Sequence, residues 1–436
     1  MKKIIVIGAG LAGSEASLYL ANKGFQVDLY EMRPSVETGA HKTSDLAEFV
    51  CSNSLGGTSL TSATGLLKEE MKRLGGSLIN IAFKNAVPSG NSLSIDRFGF
   101  SNEVTKLIEE NKNINLIRKE ITEIDTNLPT IIATGPLTSP KMCEYIKKIT
   151  NEENFHFFDA IAPIVEKESI NFEKAFYASR WQKGDADFIN CPMNKEEYDN
   201  FYNILTTAEK IELKSFEAKY FEGCLPVEVL ASRGIDTLRF GPMKPVGLRD
   251  ERKPDEKFHA VVQLRQDDKM GNLYNLVGFQ TNLKWGEQKR LIESIPGLEN
   301  AKIVRYGVMH ANSFINSPKI LNATLQTKEY ENVFFAGQIT GVEGYNESIA
   351  TGLLAGINMA RYLNNKELIE LPDTTMLGAL TQYITFKEHK HFQPVNSNWG
   401  IVREIELDRK IKKNKELKNT HLANRALDDL KKFQES

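Results

Sequence analysis

Two cysteines stand in stretches whose residue types could do chemistry: Cys51 in VCSNSLGGTS and Cys224 in FEGCLPVEVL. A thiol reacts as the thiolate, which forms where positive charge or a helix N-terminus lowers its pKa. Cys51 lies in a polar, glycine-rich loop. Cys224 lies in a turn ahead of Pro226, where Glu222 and Glu228 would oppose a thiolate if close. Each reads two ways: a small hydrophobe filling a turn, or a thiol placed to react. Cys143 and Cys191 read as buried hydrophobes. The four cysteines are scattered and contain no C-x-x-C pair, which argues against a disulfide framework and a zinc site and fits a reducing cytosol. His310, in RYGVMHANSFIN, has polar companions in Asn312 and Ser313, yet its spacing alone favours a core histidine satisfied by its neighbours.

The clearest chemistry is at the start. Gly8-Ala9-Gly10-Leu11-Ala12-Gly13 has the pattern G-x-G-x-x-G, between the apolar, β-branched run KKIIVIG and the helical pattern SEASLYLANKG. In such a unit Gly8 permits a tight turn, Gly10 admits a pyrophosphate close to the backbone, and Gly13 lets helix and strand pack. The helix N-terminus then offers free N–H groups to the phosphates. Glu31 ends the next strand, FQVDLYE, 18 residues after Gly13. A carboxylate there can accept from a ribose 2′-OH, which favours an unphosphorylated adenosine ribose, as in FAD or NAD. Two later glycine turns favour FAD: Gly135 in ATGP, and Gly337 with Gly352 in FFAGQITGVEGYNESIATGLLAG, where a second strand, turn and helix could meet the flavin end.

The elements that must position these residues follow from pattern. Residues 1–140 read as the first part of a FAD-binding domain and 331–436 as its returning part. An inserted substrate domain spans 141–330, rich in aromatic and charged residues. The fold class is α/β, a Rossmann-like FAD-binding domain of the glutathione-reductase type with an inserted α/β domain. GLLKEEMKRLGGSLINIAF reads as helix, and 258–283 as a hairpin turning near DDKMGN. The tail RKIKKNKELKNTHLANRALDDLKKFQ reads as a basic helix, either a solvated terminal helix or an RNA-contacting face. Net charge is −2, so nucleic acid would need a local basic face. No apolar run is long enough to cross a membrane, and IIVIGAGLAG reads as strand and turn rather than an export signal. The expected location is cytoplasmic, and the oligomeric state is not encoded in any pattern.

Over nearly its whole length the chain resembles the folate- and FAD-dependent RNA uracil-5-methyltransferases. The likeness rests on GAGLAGSEA, YEMRP, CSNSLGG, IIATGPLTS, YFEGCLPVEVLASRG, FGPMKPVGL, VVQLRQDD, LVGFQTNLKWGEQK, FFAGQITGVEGY and FQPVNSNWG. It implies methylation of uridine C5, with FAD as cofactor, methylenetetrahydrofolate as carbon donor and NAD(P)H as reductant. The RNA would be tRNA, at its T-loop uridine, or 23S rRNA. C5 of uracil is a poor nucleophile until a thiolate adds at C6. The resemblance implies that role for Cys224, and for Cys51 a second role near the flavin as base or proton carrier. It adds Arg33 of YEMRP to the cofactor-binding residues, and it implies that His310 and Tyr345 bind folate, His310 by stacking on the pterin. Three departures stand out: Ala311 where the family has arginine, SGNSLSIDR where it has GGALAVDR, and Asn346 where it has an apolar residue. Two other functions compete: a small-molecule NAD(P)H-dependent flavin oxidoreductase, and a non-catalytic RNA-binding flavoprotein.

Overall fold

The apolar run Ile4–Ile7 is the middle strand of a five-stranded parallel sheet, flanked by Val27–Glu31 and Thr130–Ile132, with Ile114–Arg118 and Val333–Phe335 at the edges. This computed structural model describes residues 3–152, 155–160, 162–182, 184–211, 225–389 and 392–435, with 155–160 and 309–311 described by backbone alone. Side chains alternate across the sheet, as the period of two requires. Ile4, Val6, Ile131 and Phe334 enter one core, which also holds the helices Leu11–Asn22 and Tyr345–Leu363. Ile7, Ile132, Val333 and Phe335 enter the other, with Met142 and Ile146. Those two residues lie on the helix Pro140–Thr150, which therefore packs on the parallel sheet.

A second sheet of six strands draws all of them from residues 164–305 and pairs them antiparallel around its own core. The hairpin Ala260–Gln266/Leu273–Leu276 is at its centre and turns at residues 267–272. The single helix expected in GLLKEEMKRLGGSLINIAF is instead two, Ala63–Arg73 and Leu78–Lys84. Gly75 between them takes φ +87°, a left-handed conformation that ends a helix. In the tail, Lys415–Glu435 is helical and buries Leu422, Ala426, Leu427 and Leu430 in the first core. Among the described residues no helix is long and apolar enough to cross a membrane.

Two buried carboxylates join helices. Glu15 accepts from the N–H groups of Ser77 and Leu78, and Glu70 from those of Met376 and Leu377. Each sits at the start of another helix, where the dipole favours an anion. Burial nevertheless outweighs these bonds and raises both groups to about 7. A folded pKa above the unfolded 4.5 means that the folded chain keeps protons the unfolded chain has released. Their contribution is complete below 4.5 and is lost as pH rises through about 7. The urea midpoint is accordingly expected to fall from about pH 5 to about pH 8, and Glu15→Gln to flatten that slope. An unchanged slope in the variant would contradict the assignment.

Candidate active site at the switch point of the parallel sheet

Strand order reverses between Ile4–Ile7 and Thr130–Ile132, and the crevice beyond the carboxyl ends of such strands is where open α/β sheets bind ligands. A cleft opens there. Gly8, Gly10, Leu11 and Ala12 line it from the first turn, Glu31 and Arg33 from the second strand, Gly135 from the third, and Gly337 with Tyr345 from the returning part. The helices Leu11–Asn22 and Tyr345–Leu363 both begin at this cleft, so two positive dipole ends converge on it. Among the described residues no group of His, Cys, Asp and Glu could hold a metal ion.

The cleft fits a dinucleotide. A Cβ on Gly10 would meet no protein atom within 4 Å, so what needs a glycine here is room on the cleft side. Gly8 differs: its φ is +94°, and a Cβ would lie 2.5 Å from the Ala133 carbonyl oxygen. Glu31 is held ready. Its Oε2 accepts from the Ala9 N–H (3.0 Å), and its Oε1 from the Arg33 N–H (3.0 Å) and Nε (2.9 Å). Burial opposes ionisation, but the Arg33 charge and these hydrogen bonds prevail and hold its pKa below the ordinary value. Arg33 also reaches the Thr43 carbonyl and Glu48, fixing the loop that follows.

Three residues predicted to bind the cofactor do not line the cleft. Ala9 lies beneath it and sends its N–H to Glu31. A Cβ on Gly13 would fall 1.8 Å from the Gly8 carbonyl oxygen, which is close packing of turn and helix. Gly13 is thus the packing glycine expected, whereas Gly352, expected to meet the cofactor, packs instead: a Cβ there would sit 2.3 Å from the Ala12 carbonyl oxygen and 2.6 Å from its Cα. Its task is the crossing of the two helices, and its place in a glycine-rich run gave no sign of this.

Cys51 stands at the Tyr345 end, where three successive residues are gripped from distant parts of the chain. The Phe49 carbonyl accepts from Arg97 Nη1 (3.4 Å), the Val50 carbonyl from Arg305 Nη2 (2.8 Å), and the Cys51 N–H donates to Tyr345 Oη (2.8 Å). The Phe49 and Tyr345 rings also touch, with centroids 4.2 Å apart. Arg97 is buried against Asp267 (2.7 Å), across the boundary between the two sheets. Arg265 joins the cluster with its Nε buried and unbonded, and burial lowers its pKa to about 10. Arg97 and Arg265 both lie close enough to feel the charge of Cys51. This is the positive environment that favours a thiolate. Beyond Cys51, buried Lys68 donates to the carbonyls of Leu55, Gly57 and Thr64, with burial lowering its pKa to about 8. Asn346, the departure at that position, donates to the same Leu55 carbonyl.

The other expected residues divide. Cys191 is fully buried and its thiol is pushed far up by burial. Cys143 is half-buried, also raised by burial, and faces Ser313 at 3.9 Å. His310 lies on the strand Met309–Phe314, opposite Asp159 in register. That strand meets the cleft wall where the Ser313 N–H donates to the Pro136 carbonyl. Cys224 lies outside the described residues. Arg97 and Asp267 lie in stretches compared with the family, SGNSLSIDR and VVQLRQDD, but nothing in the residue types of Arg97, Asp267, Arg305 or Lys68 marked them as part of this site.

Comparison with known proteins agrees with this geometry. The family model for glucose inhibited division protein A matches residues 3–367. The methylenetetrahydrofolate–tRNA-(uracil-5-)-methyltransferase TrmFO of Anoxybacillus flavithermus is 54% identical over 432 residues, covering 99% of each chain. Its namesake in Halalkalibacterium halodurans is 54% identical over 431 residues, covering 99% of this chain and 98% of its own. The chain belongs to the family of these methyltransferases. Membership accounts for the middle section as well as the nucleotide turn, since the identity runs through both sheets. The fold is shared more widely: GidA of Aquifex aeolicus, form II crystal, superposes with a TM-score of 0.69 at 17% identity, covering 98% of this chain and 74% of that one. Fold and family together make this methyltransferase-family chain a FAD-type α/β protein.

Proposed function

We propose that the chain methylates C5 of a uridine in tRNA, using FAD in the cleft, methylenetetrahydrofolate as carbon donor and NAD(P)H as reductant. The observation that carries this is the placement of Cys51, in a wall of guanidinium groups, at the end of a dinucleotide cleft. The 54% identical relatives, named for this reaction on tRNA, set the substrate class. Bound FAD supplies the redox chemistry that delivers the carbon and hydride.

The chain's own residues bind, orient and move protons. Gly10 and the helix start at Leu11 hold the pyrophosphate, and Glu31 holds the adenosine ribose. The N-terminus of Tyr345–Leu363 faces the other end, and Tyr345 and His310 are assigned to the folate. Cys224 adds through its thiolate to uracil C6, which makes C5 nucleophilic. Cys51, in the neighbourhood of Arg97 and Arg265, is placed to take the C5 proton once the new bond has formed, and loss of that proton expels the Cys224 thiolate from C6.

The test is incubation of the purified protein with unmodified tRNA transcript, label in the methylene carbon of methylenetetrahydrofolate, and NAD(P)H. Label is expected in 5-methyluridine, and Cys224→Ala is expected to lower its rate by about 10⁴-fold or more. Absence of label from tRNA, or full labelling by that variant, would overturn the reading. Label in 23S rRNA alone would move the substrate to ribosomal RNA.

A further inference from the structure

Away from the cleft, the segment Arg239–Arg249, RFGPMKPVGLR, has three cations and no acid in a chain of net charge −2. Lys244 and Arg249 are exposed and form no ion pair with any described residue, whereas Arg239 and Arg252 are paired with Asp236 and Asp250. Phe240 beside them is 81% exposed.

Trp181 lies on this segment. It is 65% exposed and takes φ +58°, ψ 23°, a left-handed conformation that is strained for a bulky residue. Neighbouring contacts hold it there: the Trp181 N–H donates to the Gly247 carbonyl (2.7 Å), and Arg180 Nη1 to the Val246 carbonyl (2.7 Å). The indole covers Gly247 so closely that a Cβ there would fall 2.7 Å from Trp181 Cε2 and 2.8 Å from Nε1. The ring thus rests on a backbone that has no side chain to lift it, and its exposed surface remains open.

Hydrogen bonds and one strand link the patch to the candidate site. Arg180 Nε and Nη2 donate to Gln263 Oε1, on the strand that runs into Asp267, the partner of Arg97. Asp187, ahead of the strand Phe188–Met193, is tied to the segment leading to Arg97, since the Gly90 N–H donates to Asp187 Oδ2 (2.6 Å).

An aromatic face fixed on the backbone, beside cations that no described residue pairs, suits an unpaired base and its neighbouring phosphates. We infer that Trp181, seated on Gly247, is a stacking platform for an unpaired nucleobase of the RNA substrate, with Lys244 and Arg249 contacting the adjoining phosphates. The inference rests on the RNA reading above and adds to it where the strand lies. Trp181 is a positioning residue in this proposal and does not line the cleft.

The experiment compares wild type with Trp181→Ala, Trp181→Phe and Lys244→Gln/Arg249→Gln, using unmodified tRNA transcript. Trp181→Ala is expected to raise the RNA Kd and KM about tenfold. Its FAD content, its RNA-independent NAD(P)H oxidation and its kcat at saturating RNA should match wild type. Trp181→Phe should retain most of the affinity, because it keeps a π face. The double variant should reduce the slope of log K against log salt by about 1.4 to 1.8. If wild type neither binds nor methylates RNA, the proposed function falls. If wild type methylates tRNA and Trp181→Ala binds it equally well, the platform alone falls.

Discussion

Gly10→Val is expected to give a folded protein that purifies without FAD. Gly10 has φ −71° and ψ −166°, an extended conformation open to a β-branched residue. No protein atom lies within 4 Å of the added Cβ, so the fold has nothing to resist. The new side chain projects instead into the space that the pyrophosphate needs against the N–H groups of the turn. The loss of FAD affinity should be about 100-fold or more, since such contacts tolerate little displacement. Flavin absorbance relative to protein, beside a thermal melt of the apoprotein, reads out both halves. Gly352→Ala provides the contrast: its Cβ would fall 2.3 Å from the Ala12 carbonyl oxygen, so the two helices must separate. Overpacking of this kind costs about 1–3 kcal/mol, and the melt should move with or without flavin. A flavin-replete Gly10→Val protein would remove the phosphate role from this turn.

The second large effect is expected at Asp267. Its Oδ1 accepts from Arg97 Nε and Nη2 and from Asn275 Nδ2, and its charge also acts on Arg265 and Arg305. Asp267→Asn keeps the shape and removes the charge, leaving guanidinium groups crowded and buried. Breaking one side of a buried ion pair costs about 3–5 kcal/mol. Because Arg97 also holds the Phe49 carbonyl, the loop bearing Cys51 should loosen as well. Chemical denaturation should show the loss, and alkylation of Cys51 by a thiol reagent should change in rate. Asp267→Asn combined with Arg97→Met should recover part of the stability, because the charge bonded directly to Asp267 is gone while those of Arg265 and Arg305 remain. A single variant as stable as wild type would mean that Asp267 is not the counter-charge for this cluster.

The geometry of the glycine turn was legible because a βαβ unit is contiguous in sequence. Gly8, Gly10 and Gly13 lie within one turn, and Glu31 follows one helix and one strand later, so spacing along the chain translates directly into position in space. The same reasoning does not reach Gly352, which lies inside the helix Tyr345–Leu363 rather than at its start. Its neighbour is the backbone of Ala12, and a backbone leaves no trace in sequence.

By itself, then, the sequence determined the Rossmann-like α/β class and its glycine turn, and its longer motifs carried the family. Tertiary structure alone decided what surrounds Cys51. Its grip comes from residues 48, 255 and 294 positions away along the chain. Two of those contacts end on carbonyl oxygens and the third starts from a backbone N–H, groups that nearly every residue carries. Contacts of that kind constrain one partner and leave the other unmarked, so the environment of this thiol became visible only when the two sheets were seen packed together.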